Sequence, residues 1–363
     1  MNKPTPRPKA TITEVAKAAG VATGTVSRVF NNHPDVNADI RRRVKDAAAK
    51  LGYVRLRQRK RPRRSANQSV GNIGMVFFGM QDTLAQLPVV SSAVHGIEVA
   101  LSEQGRNLMI SNVPGGDRVP PFLAENRVEG VIIKGPNQGN LPSAEESELL
   151  RHVYGFPHVW LMGRLPNAVG DHCNFDTDAT GRLVAAHLVE KGHRRAAFLN
   201  PKPGQSQFEK IKNSFLVAAE RYELRVELLE TARPEIITWP LPATTSQDHV
   251  EALLDRWAEM PEAVRPTAIF VPSDRTGVQL YSALERRGLQ AGRDVSVISC
   301  NNEKPLLMDL RPGLTTIDVH PEVVGQRAVD QLLWRIKHPH ENLSFRILVH
   351  PTLVERDSVA DLR

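Results

Sequence analysis

Apolar residues recur at helical spacing near the start of the chain, between positions 11 and 30. A first stripe consists of Ile12, Val15, Ala16 and Ala19, and a second of Val26, Val29 and Phe30. Such stripes are typical of amphipathic helices that bury one face. Thr11 and Glu14 have capping-box spacing, and Gly20 can adopt the left-handed conformation that ends a helix. The pattern predicts two short helices on either side of a tight turn.

A third apolar stripe predicts another helix. Asn37 is a favourable N-cap residue, and Gly52 is placed to end the helix. The apolar positions between them are Ile40, Val44, Ala47, Ala48 and Leu51. Three such helices predict a compact module whose second helix can enter a DNA major groove. A helical hairpin with no nucleic-acid role fits the same spacing.

From Val70 onward, short apolar runs alternate with amphipathic segments. Buried strands are predicted at 71–79, 106–111, 129–134, 158–162, 194–200, 267–271 and 294–299. Helices are predicted at 89–103, 180–191, 207–222, 246–258 and 274–287. This alternation indicates βαβ units and parallel sheets. A body of about 290 residues is too long for one ordinary sheet of this kind, so we expect two lobes.

Charge is distributed unevenly between the two ends of this pattern. Residues 1–64 contain 17 Lys and Arg against 4 Asp and Glu, a net charge of +13. The whole chain carries +7, so residues 65–363 carry −6. A basic head on an acidic body suggests a polyanionic partner, whose binding should weaken steeply with salt. A solubilising basic face would also produce this asymmetry.

Two segments at the start of the chain resemble a known family. TITEVAKAAGVATGTVSRVFNN (11–32) and IRRRVKDAAAKLGYV (40–54) are similar to the headpiece of the LacI/GalR family of bacterial transcriptional repressors. The resemblance resumes in the body at 181–199, 271–289, 294–299 and 314–333. It implies a helix-turn-helix headpiece at 1–54, a basic linker at 55–69 and a periplasmic-binding-protein-like α/β body at 70–363. The implied crossings between the two lobes lie near 191–194, 317–320 and 343–346.

The resemblance also implies DNA-binding residues. Its base-reading positions correspond to Thr23, Gly24 and Arg28, and arginine can bond bidentately to guanine. Positions that hold phosphates or support the helix correspond to Thr25, Ser27 and Asn31, and Thr11 joins this DNA-binding set. Two departures from the family are local. Ala22 stands where the family usually has a serine cap, and Gly24 offers no side chain to a base.

The linker departs further from the family pattern. Pro62 corresponds to the leucine that wedges into the minor groove, and seven of the ten residues 55–64 are basic. Proline and like charges oppose a free helix. We hypothesise that the segment orders only on DNA and lies along the minor groove through Arg55, Arg57, Arg59 and Arg61. An electrostatic tether without sequence preference is an equal alternative, and an unchanged ratio of specific to nonspecific affinity after arginine substitution would favour it.

A cleft between two lobes is a natural site for a small molecule. Carrying over the family's effector positions, the resemblance implies contacts from these residues: Gln81, Gln205, Gln207, Asp274 and Asn301. Asp274 has an alternative role as a structural cap of helix 274–287. Amide side chains both donate and accept, which suits hydroxyl groups. Because no arginine lies in the segment before helix 207–222, the sequence favours a neutral sugar or polyol over an anionic or phosphorylated effector.

Other chemistry is sparse. The sequence contains no P-loop, GxGxxG, HExxH or GxSxG motif, and we expect no cofactor, no metal and no enzymatic activity. Cys173 and Cys300 form no metal-spaced motif and are expected to be buried thiols in a reducing cytoplasm. The first ten residues lack an apolar signal region, and no apolar run approaches the length of a membrane span.

Two classes of function fit these observations. The first is a transcriptional regulator, a repressor, that binds a pseudo-palindromic operator as a homodimer and responds to a small-molecule effector. The second is a sugar-binding protein or enzyme with a nonspecific basic appendage. A salt-dependent gel shift with specific DNA would support the regulator, and turnover of a sugar would support the enzyme.

Overall fold

The computed structural model describes residues 10–30, 36–51, 53, 71–79, 81, 84–136, 138–139, 141–163, 165, 167–232 and 249–363. The chain divides into two compact units, Met1–Ser69 and Val70–Arg363. The first unit contains the helices α1 (Ile12–Ala19), α2 (Thr23–Phe30) and α3 (Ala38–Lys50).

The three helices enclose a small apolar core. Its buried residues are Val15, Ala16, Ala19, Val26, Val29, Val44, Ala47 and Ala48. Leu51 was predicted to join this core, and that prediction was wrong because its exposed fraction is 41%. Tyr53, rather than Leu51, packs against Phe30, with the two rings tilted and their centroids 5.6 Å apart.

The second unit is an α/β body. Its strands are β1 (Asn72–Phe78), β2 (Asn107–Val113), β3 (Gly130–Lys134), β4 (His158–Leu161), β5 (Asp171–Phe175), β6 (Arg195–Asn200), β7 (Arg225–Glu230), β8 (Ala268–Phe270), β9 (Ser296–Asn301), β10 (Thr315–Asp318), β11 (Arg346–Val349) and β12 (Thr352–Val354). Its helices are α4 (Pro88–Glu103), α5 (Pro121–Ala124), α6 (Glu148–Val153), α7 (Thr177–Glu190), α8 (Ser206–Arg221), α9 (His249–Ala258), α10 (Asp274–Arg286), α11 (Lys304–Leu307) and α12 (Pro321–Lys337). A short 3-10 helix, Leu84–Gln86, precedes α4.

The described strands form two sheets of six, one in each lobe. The first sheet has the order β2-β1-β3-β4-β5-β11, and all its pairs are parallel. The second has the order β7-β6-β8-β9-β10-β12, with β12 alone antiparallel among these described strands. Strands such as β3 and β8 are buried along their whole length, which suits parallel sheets covered by helices on both faces. The predicted fold class, a helical headpiece with a two-lobed parallel α/β body, is confirmed.

The chain crosses between lobes three times, at positions that partly differ from those predicted. Strand β5 pairs in the first sheet, but α7 packs on α8, β10 and β12 of the second lobe. The first crossing therefore lies between Phe175 and Thr177, and the predicted 191–194 was wrong because α7 already belongs to the second lobe. The second crossing joins β10 to α12, which packs on α4 and β3–β5. It lies between Asp318 and Pro321, overlapping the predicted 317–320.

The third crossing separates two short strands. Strand β11 pairs with β5 in the first lobe, and β12 pairs with β10 in the second. The crossing therefore occupies His350 and Pro351 rather than 343–346, because residues 346–349 still extend the first sheet. All three crossings directly follow strands.

Candidate functional site

One face of α2 is exposed while the opposite face is buried. Thr23, Gly24, Ser27 and Arg28 are exposed, whereas Val26 and Val29 lie in the headpiece core. Thr25 is half-buried at the edge of this face. The sequence-predicted recognition residues therefore share one accessible surface, which we call the α2 face.

The ends of α1 are fixed by local hydrogen bonds. The Thr11 hydroxyl accepts from the backbone N–H of Glu14 at 3.3 Å, and the backbone N–H of Thr11 donates to the Glu14 carboxylate at 2.6 Å. This reciprocal pair is the predicted capping box. Gly20 follows the helix with a φ of 64°, and the Arg43 guanidinium donates to the carbonyl of Ala19 at 2.7 Å. A cation at the end of α1 also suits the helix dipole.

The start of α2 is less well capped than the start of α1. Thr23 is the first helical residue, and the carbonyl of Ala22 accepts from the N–H groups of Thr25 and Val26 at 2.9 and 3.2 Å. Ala22 carries no side-chain oxygen to accept from the next free N–H groups of the helix. An alanine in the capping position costs about 1 kcal/mol relative to serine.

Several predicted DNA-binding positions lie outside the described residues. They are Asn31 and the linker positions Arg55, Arg57, Arg59, Arg61 and Pro62. Their roles stay predictions.

The body contains a cavity of about 130 Å³ between the two lobes. Its first-lobe wall includes Val89 and Val90 of α4 and Phe175 at the end of β5. Its second-lobe wall includes Phe208 and Ile211 of α8. Of the predicted effector residues, this cavity brings together Gln205, Gln207 and Asn301. Gln81 is exposed and is not among the described residues of the cavity wall.

Asp274 was also predicted to contact the effector, but it is not among the described residues of the cavity wall. Its carboxylate is fully buried and accepts hydrogen bonds from the Ser299 hydroxyl (2.5 Å), the Thr316 hydroxyl (2.7 Å) and the Glu303 N–H (2.6 Å). These bonds tie the start of α10 to β9 and β10. Burial raises the pKa of Asp274 to about 6 despite them. Asp274 therefore has a structural role, but it is not the predicted cap of this helix: the N-cap of α10 is Ser273, whose hydroxyl accepts from the Thr276 N–H.

Four charged residues of the cavity wall were missed. Lys134 ends β3, Lys202 follows β6, Arg275 is the second residue of α10 and Glu303 precedes α11. The preference for a neutral effector depended on the lack of an arginine near 205–211. Arg275 supplies one from a different helix, so that argument no longer holds. The sequence offered one signal for Arg275, its position next to Asp274. Successive residues at the start of a helix face different directions, so one can be buried while the next faces the cleft.

Hydrogen bonds cross the cleft between the lobes. Asn174 on β5 and Gln207 on α8 exchange two amide hydrogen bonds of 3.3 and 3.0 Å. Arg275 donates to the carbonyl of Gln86 in the 3-10 helix. The carboxylate of Glu303 accepts from the N–H of Val89, in the first turn of α4, at 3.0 Å. Residues that line the cavity therefore also connect the two lobes.

Glu303 has an unusual electrostatic environment. Burial, followed by the nearby charge of Asp274, raises its pKa to about 7. The N–H of Val89 and the charge of Arg275 act in the opposite direction. Glu303 also supplies an acceptor to α4, whose N-cap residue Leu87 has no side-chain hydrogen bond of its own.

Both cysteines are free and buried, as expected. Burial raises the pKa of the Cys173 thiol to about 12, which opposes formation of a reactive thiolate. Within the described part of the chain, no helix combines the length and hydropathy that crossing a membrane requires.

Both units of the chain match families of known proteins. Residues 11–55 match the family model described as bacterial regulatory proteins, lacI family, and residues 185–359 match the periplasmic binding protein-like domain. The HTH-type transcriptional repressor PurR of Vibrio cholerae is 28% identical over 359 residues, which is 97% of this chain and 99% of the relative. The HTH-type transcriptional regulator MalR of Streptomyces coelicolor is 29% identical over 361 residues, 96% of each chain.

Solved structures support the same fold. A complex of the transcriptional regulator CelR with cellobiose has a TM-score of 0.62 at 23% identity and covers 96% of this chain and 100% of that one. A lac repressor dimer bound to operator and the anti-inducer ONPF has a TM-score of 0.62 at 24% identity. The match covers 97% of this chain and 100% of that one. These findings do not favour an enzyme or a stand-alone sugar-binding protein. The chain therefore joins a DNA-binding region that matches the lacI family model to a periplasmic binding protein-like domain, and it is a DNA-binding transcriptional regulator.

Proposed function

We propose that this regulator is a repressor that reads its operator through the α2 face and is controlled by a small molecule bound in the cavity between the lobes. The observation that carries the proposal is the exposure of Thr23, Gly24, Ser27 and Arg28 on one side of a helix whose other side is buried. Of these residues, Arg28 has the reach and donor geometry for a guanine edge. The net charge of +13 in residues 1–64 supplies attraction to phosphates.

One headpiece offers few base contacts, since Gly24 has no side chain to contribute. Two headpieces on a pseudo-palindromic operator double the number, and we therefore propose a homodimer. The solved lac repressor structure is itself a dimer on operator. A ligand that favours one arrangement of the lobes would change operator affinity, and operator would change ligand affinity by the same factor.

The remaining parts of the proposal concern setting and chemistry. We expect the protein to act in the cytoplasm, where a bacterial regulator meets DNA. We also propose that it has no enzymatic activity, because its named relatives are transcriptional regulators and its cavity residues have roles in binding and lobe contact.

A gel-shift experiment tests this function. The intact chain should retard DNA from upstream of its own gene at concentrations that leave scrambled DNA free, and retardation should weaken steeply with salt. A matched variant without residues 1–54 should lose this preference. If that variant selects the same fragment as well as the intact chain does, the proposal is wrong.

A further inference from the structure

The charge of the cavity wall indicates which kind of effector it takes. Among the described residues that line the cavity, Lys134, Lys202 and Arg275 are basic and Glu303 alone is acidic. Building on the proposed function, we infer that the effector is a hydroxylated carboxylic acid, such as a sugar acid, rather than a neutral sugar. The carboxylate would lie among the three cations, and the hydroxyl groups would contact the amide side chains.

The cations reach the cavity from both lobes. Lys134 belongs to the first lobe and is 1% exposed, with its ammonium donating to the carbonyl of Gly135 at 2.6 Å. Lys202 and Arg275 belong to the second lobe. Cationic side chains therefore stand on both walls of the cavity, so an anion between the lobes is attracted from both sides. Such a ligand would hold the lobes together more strongly than a neutral molecule of the same shape.

The amides of the wall account for the hydroxyl groups. The side-chain oxygen of Gln205 is buried and has no hydrogen-bond partner among the residues that the structure describes. A buried acceptor without a partner destabilises the protein, and a hydrogen bond from a ligand hydroxyl would remove that cost. Asn301 lies in the same wall with a φ of 115°, a backbone conformation that asparagine tolerates better than most residues. Its amide can also donate to or accept from a hydroxyl group.

The same wall favours a carboxylate over a phosphate. A phosphate monoester carries close to two negative charges at neutral pH, and Glu303 would repel the second charge. A carboxylate carries one charge, and its plane matches the guanidinium of Arg275. The apolar side chains of Val89, Phe175 and Phe208 can cover the carbon skeleton. The cavity therefore fits a compact, singly charged and hydroxylated molecule.

Matched ligand pairs test the inference on the full chain. Thermal shift and calorimetry would compare glucose with gluconate and glucuronate, galactose with galacturonate, and glucose with glucose 6-phosphate. At least one acid should bind about tenfold or more tightly than its neutral parent, as expected for a charge-assisted hydrogen bond. The R275Q and K202Q variants should each reduce that preference about tenfold. The K304Q variant is the control, because Lys304 is an exposed cation of α11 that does not line this cavity.

The outcomes are distinct. The inference is overturned if no acid outranks its neutral parent, if glucose 6-phosphate gives the largest shift, or if R275Q and K202Q keep the preference of the intact chain. Arg275 also contacts Gln86, so the R275Q variant could unfold. The K202Q variant keeps the inference testable in that case. Operator binding is measured separately by gel shift. A chain that selects its operator but prefers a neutral sugar would refute this inference and leave the proposed function standing.

Discussion

Arg28 illustrates how much specificity can depend on one residue. Its neighbours on the α2 face are two small hydroxyl residues and a glycine, so Arg28 is the long donor of that face. An R28A variant should lose about 1–3 kcal/mol of operator affinity while its affinity for scrambled DNA changes little. Competition gel shifts with both DNAs would measure the difference.

A second exposed cation provides the control for Arg28. Lys45 lies on α3 rather than α2 and is exposed. A K45A variant should weaken operator and scrambled DNA to a similar degree, since phosphate attraction carries no sequence information. Equal losses on both DNAs for R28A would contradict the role assigned to Arg28.

Asp274 and Arg275 show why local sequence could not identify the effector residues. The two are adjacent, yet the first lies under β9 and β10 while the second faces the cleft. The family pattern pointed to the first. Only the packing of α10 on the sheet decides which side chain is buried, and that packing depends on Ser299 and Thr316, which are distant in sequence. The headpiece was predictable because Thr11, Glu14 and Gly20 act within a few residues of one another.

At the scale of the element, the start of α2 could be stabilised by an N-cap side chain. An A22S variant would add a hydroxyl that can accept from a free N–H group of the first turn. We expect it to stabilise the headpiece by about 1 kcal/mol, measured by thermal unfolding. A22V would serve as the control without an acceptor. If A22S melts no higher than the intact chain, α2 is already capped by another group.

The pair α4 and α12 depends on two glycines that meet at their crossing. A Cβ atom on Gly96 would lie 2.1 Å from the carbonyl oxygen of Glu322, and one on Gly325 would lie 2.0 Å from that of Ala93. A G96A variant should destabilise the body by about 3 kcal/mol in urea unfolding, although alanine favours helices. The exposed S91A variant on the same helix should stay within about 0.5 kcal/mol of the intact chain. A G96A variant as stable as S91A would refute this close contact.

Strand β5 is an element that the sequence did not predict, because the interactions that hold it are long-range. Strand β5 reads DHCNF, with polar residues at buried positions, so it carried no apolar pattern. Its Asp171 accepts from Arg335 at 2.9 and 2.7 Å and from Gln331 at 2.8 Å, both on α12. These partners follow Asp171 by more than 150 residues, and no local pattern could identify them.

For the whole molecule, Glu303 links stability to pH. Burial raises its pKa from the ordinary 4.5 to about 7, so the folded state disfavours the charged form. The stability that the protonated group contributes is complete below pH 4.5 and is lost as pH rises through 7. The E303Q variant keeps an acceptor for Val89 without this loss. Its free energy of unfolding should rise above that of the intact chain by about 2 kcal/mol as pH increases from 4.5 to 7. The difference should then remain constant at higher pH.

Denaturant unfolding over this pH range would measure the gain. The control is E227Q, since Glu227 is an exposed glutamate on β7. A difference between E303Q and the intact chain that stays constant with pH would show that Glu303 does not titrate as described.

Glu303 also makes the measured heat of ligand binding depend on proton uptake. An anion arriving beside Glu303 would stabilise its neutral form, so binding near pH 7 would take up a fraction of a proton from the buffer. The apparent heat of association would then change with the ionisation enthalpy of the buffer chosen, even with identical ligand and protein. A lower pH would therefore strengthen binding of such a ligand, so proton concentration would act as a second signal on the regulator.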